Sequence, residues 1–369
     1  MSKIARLALL SVFLLAFVVP APPARGQGNM LEPPTNALDG SGNPVAFMKS
    51  LDQIEPRTLI SQLPFMIAEP GSYYVSTPLR GAPGSNGITI AASNVRLDLS
   101  GFPLVGMTNS LDGITVSLFC DNITIRNGVI FNWGKFGVNA MMARGVVLAD
   151  VKAMGNGWGG LYTGPDSLVE RCSAYGNGTG NMGFPAPGTN PPVTDGIQIG
   201  RLSTIIDCKS GMNVGAGIHT YEHSRIIGCT ATESLQANGF WAEDYCTIRD
   251  CTAARNNNSG MRIGAKCRVT ENTCGENGTN FPPNQIGGIS VEGNNNLVEN
   301  NIVAGNNCGI RLMGTGNLVI HNAASRNMGM DYFNAVPPQS NFTGNVTSFS
   351  SGGGGSFSNT NPWANFSFQ

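Results

Sequence analysis

Tyr162, Gln198, His219, Trp241, Arg262, Ser290 and Arg311 each stand two residues after a glycine, and Tyr221, Glu243 and Glu292 stand four residues after three of the same glycines. The first two glycines of the series, Gly87 and Gly113, carry only Thr89 and Thr115 in the first of these places and Ala91 and Ser117 in the second. A row that changes from bland to aromatic and charged is a candidate reaction surface. A base beside a cation can remove a proton next to a carboxylate and stabilise the charge that forms, roles open to His219 or Tyr221 and to Arg262. Two carboxylates can instead cleave a glycosidic bond by hydrolysis. Glu243 and Glu292 are expected roughly 9 to 10 Å apart, at the outer edge of the inverting range of about 6.5 to 9.5 Å. Trp241, Tyr162 and Tyr221 offer ring faces for sugars, Gln198 a hydrogen-bonding amide, and Arg311 with Arg262 a fork for a uronate carboxylate. The partner these residues fit is a polysaccharide.

The spacing of the glycines says what must hold these side chains. Gly87, Gly113, Gly137, Gly160, Gly196, Gly217, Gly239, Gly260, Gly288 and Gly309 each precede a large apolar residue and recur about every 21 residues, the mark of a solenoid whose coils bury their apolar faces on one another. Counted from each glycine, the ninth residue is aliphatic in eight units, namely Val146, Val169, Ile205, Ile226, Ile248, Val269, Leu297 and Leu318, which predicts one interior column. Asn177, Asn213, Asn256 and Asn277 recur at the seventeenth place, where Asn favours a turn and can bond its equivalent one coil away. Short strands separated by such turns predict an all-β, single-stranded right-handed parallel β-helix of about ten coils of ~21–24 residues, three strands to the coil. In the first strand the residue after Gly points inward, so the second and fourth point out. Between Asn177 and Gly196, and between Asn277 and Gly288, longer loops leave the same corner and are expected to wall a groove along this face.

The cysteines follow the same period. Cys172, Cys208, Cys229 and Cys251 lie twelve residues after their glycines, with Asn272 and Asn300 next in the series, and Cys120, Cys246 and Cys267 lie seven after theirs. Repeat-locked cysteines predict a ladder of small buried side chains, with disulfides between neighbouring coils as the alternative. No His/Cys cluster has metal-site spacing, so no metal or other cofactor is expected. An acidic row of Asp207, Asp250, Glu271 and Glu299 leaves calcium open as a ligand.

Residues 1–26 read as a signal peptide, with Lys3 and Arg6 ahead of an apolar run from Leu7 to Val19 that is shorter than the ~20 residues needed to span a bilayer. A secreted, periplasmic or cell-surface protein with no membrane span follows. Residues 27–50 read as an extended lead-in, 51–86 as an N-terminal cap and first turns, 87–345 as the β-helix, and 346–369 as a Gly-rich link with an aromatic capping tail. The net charge of −1 gives no pull toward nucleic acid, and a monomer is expected.

The segments LDQIEPRTLI at 51–60, PGSYYV at 70–75, NGITIAASNVRLDLSGF at 86–102 and NPWANF at 361–366 resemble the secreted bacterial right-handed parallel β-helix repeat proteins of the pectin-lyase-like superfamily. The resemblance implies the fold over nearly the whole mature chain. It leaves activity open among lyases, polygalacturonases, epimerases and tailspikes. Thr194-Asp195-Gly196 resembles part of the Asn-Thr-Asp-Gly motif of polygalacturonases, but Val193 stands in place of the Asn, and neither the Asp-Asp pair nor the Gly-His-Gly follows. The functional reading is therefore a β-helix that binds, and as an enzyme would cleave, extracellular polysaccharide around Trp241. Its alternative is a non-catalytic structural or adhesive envelope protein.

Overall fold

A computed structural model of the chain describes residues 57–180, 194–337, 340–344, 346–349 and 361–368. The signal-peptide and lead-in segments, most of the first long loop and the run Gly352 to Gly355 lie outside the described residues. The described residues, from Arg57 on, form one compact unit, a right-handed parallel β-helix. One sheet has twelve parallel strands, from Phe65–Ile67 to Tyr332–Asn334, and the other strands of the coils build the remaining faces.

Each three-residue strand of the twelve-stranded sheet turns its first and third residues inward and its middle one outward. Ile218, Phe240, Met261 and Ile289 are thus in register and fully buried. On the other faces the middle residue points in, which places Ile226, Ile248 and Val269 in one column and Ala231, Ala253 and Cys274 in another. The glycines are fixed by the closeness of the next coil. A Cβ on Gly239 would lie 2.5 Å from Asn256 Nδ2 and 2.7 Å from the Gly260 carbonyl.

The column differs from expectation in the last two units. Val298 and Val319 occupy it, while Leu297 is half-buried and Leu318 is exposed. The turn after Glu292 carries one more residue than its counterpart after Glu243. In a strand of period two, one residue reverses inside and outside. For the same reason Asn301, rather than Asn300, continues the series from Asn272, and Asn300 sits at the corner with a φ of 55°.

Three ladders of side chains run along the corners and satisfy backbone that the strands leave unpaired. At one corner the Oδ1 atoms of Asn177, Asn213, Asn277 and Asn306 each accept from the backbone N–H and Nδ2 of the asparagine one coil earlier, at 2.9–3.0 Å. At the second corner Cys172, Cys208, Cys229 and Cys251 give way to Asn272, Asn301, Asn322 and Asn365. The third passes through Ser203, Ser224, Cys246, Cys267, Asn296 and Asn317. All nine cysteines are buried free thiols, so the cysteine ladder holds and inter-coil disulfides are absent. Asn365 closes the second ladder from the tail strand Asn365–Phe368, which pairs with Ala323–Ser325, and Trp363 stacks on His321 at 5.8 Å.

The first ladder breaks at Ser234, seventeen residues after Gly217, where Ser stands in the Asn place. Its Oγ is buried without a hydrogen-bond partner, and Asn213 Nδ2 turns to Ser210 Oγ at 2.8 Å. Ser234→Asn restores the rung and should raise the unfolding free energy by about 1 kcal/mol, read from the denaturant midpoint. An unchanged or lowered midpoint would show that the coil has no room for the larger side chain.

Candidate functional site

The twelve-stranded sheet sets Gln198, His219, Trp241, Arg262, Ser290 and Arg311 in one outward row by strict register. Parallel strands lie about 4.8 Å apart, close to the separation of stacked rings, so neighbours in such a row stack on one another. His219 lies on Trp241 with centroids 4.3 Å apart and planes 8° from parallel, and Arg262 Cζ lies 4.6 Å from the opposite face of that indole. Tyr221 covers the side of His219 at 5.1 Å. Trp241 therefore has no free face for a sugar, and only its edge reaches a cleft of about 200 Å³ shared with Glu243, Asp244, Arg262 and Glu292.

His219 is 6 % exposed although its strand position points outward. Its Nδ1 is 3.1 Å from Asp195 Oδ2, and its Nε2 is 3.7 Å from Glu243 Oε1, beyond hydrogen-bond length. Burial alone would favour the neutral ring. The two carboxylates outweigh it and push the imidazole up to about 9. His219 is thus a cation at neutral pH, and in that form its ring has no lone pair with which to accept a proton. In return its charge, outweighing partial burial, holds the Glu243 carboxyl below the usual carboxylate range. Burial and the charges of Glu243 and Asp195 raise the Tyr221 phenol, which stays protonated and receives a 3.4 Å hydrogen bond from Gln198 Nε2.

Three expected contacts are corrected. Tyr162 is fully buried, packed 4.7 Å from Phe136, with its Oη accepting from the Asp195 N–H at 2.7 Å, so it is a strut under the site. Glu292 forms an ion pair with Arg262 at 2.6 Å and is not a free partner for Glu243. Arg311 donates to the Asn284 carbonyl at 3.2 Å and to Met313 Sδ, which makes it a clamp on the second loop. That loop bonds mainly to Asn307, Arg311 and Met330 rather than walling the His219 coils. Among the described residues no three His, Cys, Asp or Glu side chains gather as a metal ion requires, and in the acidic row Asp250 pairs with Arg249 and Glu299 with His321.

Asp195 is the residue that the row of outward positions does not reach, because it precedes its glycine. Its Oδ1 accepts the Ala216 N–H at 2.7 Å while Oδ2 holds His219. The signal was present in Asp112, also just before a glycine, which accepts the Phe136 N–H and Asn139 Nδ2, each at 3.1 Å. The Asp195–His219 pair is that coil-to-coil clip with the amide replaced by an imidazole.

Residues 83–234 match the family described as "Right handed beta helix region". The A-module of the Azotobacter vinelandii mannuronan C-5 epimerase AlgE4 superimposes with a TM-score of 0.56 at 14% identity, covering 75% of this chain and 84% of that one. The Dettilon tailspike protein does so with a TM-score of 0.58 at 15% identity, covering 77% and 62% of the two chains. No curated protein matches in sequence. The family match over residues 83–234 and the shared coil geometry give the chain the fold of a right-handed parallel β-helix.

Proposed function

We propose that the sheet face around His219, Trp241 and Arg262 binds an extracellular polysaccharide and that Glu243 is the base of a proton transfer on it. The observation that supports this reading is the series Asp195–His219–Glu243, in which a buried cation held from behind by Asp195 lies 3.7 Å from the half-buried Glu243 and keeps it ionised at the mouth of the cleft. Tyr221, in the coil before Glu243 and protonated, is positioned as the partner acid. A carboxylate base with a phenol acid suits removal and return of a proton beside a uronate carboxylate better than hydrolysis, because Glu292 is committed to Arg262. A mannuronan epimerase and a tailspike share the architecture, which supports the polymer class by analogy of fold alone.

The test is incubation of the purified protein with acidic and neutral polysaccharides in deuterated water, with and without calcium, while unsaturated ends, reducing ends and deuterium uptake are followed. Unsaturation or deuterium uptake, reduced roughly 10²- to 10⁴-fold in Glu243→Gln, is the expected result. New reducing ends alone would replace the proposal with a hydrolase. Absence of both products and binding would move the reading to a non-catalytic, structural solenoid. That second reading draws support from the Asp112–Asn139 clip, which has the same geometry in a coil without the charged row.

A further inference from the structure

On a different face of the solenoid, the strands Arg225–Ile227, Thr247–Arg249 and Arg268–Thr270 lie side by side. Their middle residues are buried, so their outer ones form two rows: Arg225, Thr247 and Arg268 in one, Ile227, Arg249 and Thr270 in the other. Three arginines and two threonines, Thr247 and Thr270, thus line a cleft of about 370 Å³ together with Ile227 and Glu271. Their counter-charge is incomplete. Arg249 has Asp250 at 3.0 Å, but Arg225 and Arg268 form no ion pair among the described residues, where Glu271 is the one carboxylate that lines the cleft. Exposed cations held together on a rigid sheet repel one another, and an anionic ligand relieves that repulsion.

We propose that this cleft is a second polysaccharide-binding site, selective for chains that carry sulfate or carboxylate substituents. Arg225 and Arg268 stand two coils apart, about 9 to 10 Å along the solenoid axis, which is wider than one oxyanion and suits substituents on different sugars of one strand. Each guanidinium offers a planar fork to such a group, and the Thr247 hydroxyl lies between them. No aromatic side chain lines the cleft to stack a base, and the chain as a whole carries a net charge of −1, both unfavourable to nucleic acid. The site stands whether or not the His219 face performs the chemistry assigned to it.

The test is calorimetric titration of the full chain with dextran sulfate, neutral dextran and a single-stranded DNA oligonucleotide, at low and at physiological salt. Dextran sulfate should bind with an affinity that falls as salt rises, and neutral dextran should not bind. Arg225→Ala with Arg268→Ala should weaken binding about tenfold or more at a melting temperature no lower than the parent's, since both side chains are exposed and their removal relieves the repulsion, while Glu243→Gln leaves it intact. Unchanged affinity in the double variant, or no binding by the parent protein, would overturn the site. Equal affinity for DNA would overturn its selectivity. Loss in Glu243→Gln alone would transfer the binding to the His219 face.

Discussion

As pH rises from 6.5 through 9, the protein should lose on the order of 3 kcal/mol of stability, and His219→Asn should abolish that loss. The imidazole titrates near 6.5 in the unfolded chain and near 9 in the folded one, so the folded state binds the extra proton between these values. The stabilisation is complete below 6.5 and vanishes as pH passes 9. Asn is the informative replacement because Asn139 fills the equivalent place over Asp112. Asp195→Asn, which removes the carboxylate nearest the ring, should bring the loss to lower pH. Urea midpoints taken across this interval decide the matter, and parallel curves for parent and His219→Asn would exclude a charged His219.

The second large effect lies in the asparagine ladder. Asn277 is fully buried, accepts from the Asn256 N–H and Nδ2, and donates through Nδ2 to the Ala253 carbonyl and Asn306 Oδ1. Asn277→Ala strands these groups out of reach of water, at a cost of about 1–3 kcal/mol each before relaxation. A net loss of roughly 4 kcal/mol is expected, a large part of a typical domain's 5–15 kcal/mol. Because each coil is held chiefly by its neighbours, the damage should reach both adjoining coils, visible as faster amide exchange in the strands Thr252–Ala254 and Ile302–Ala304. A loss below about 1 kcal/mol would mean that the ladder fills space without bearing stability.

The architecture was legible because a glycine and apolar pair recurs in ten units, an aliphatic residue follows at a fixed distance in eight and an asparagine in four, and a solenoid repeats its decisions. Counting from glycine failed only where a turn gained a residue, at Val298, since the count carries no information on which corner absorbs an insertion. The outward direction of the row from Gln198 to Arg311 was also legible. What each side chain faces was not: the coil spacing that aligns His219, Trp241 and Arg262 also lets them cover one another. Tyr162 is buried by Phe136, and Asp195, visible in the sequence only as part of a motif fragment, has its partner twenty-four residues on, a relation visible only once the coils are stacked.

The stack on Trp241 carries a consequence for light. A protonated imidazole lying flat on an indole at 4.3 Å accepts an electron from the excited indole and so suppresses its emission, whereas the neutral ring does so far less. Trp241 emission therefore reports the charge of His219: dim while the proton is held, brighter once it leaves near pH 9. The molecule contains its own optical gauge of the proton on which the proposed reaction face depends.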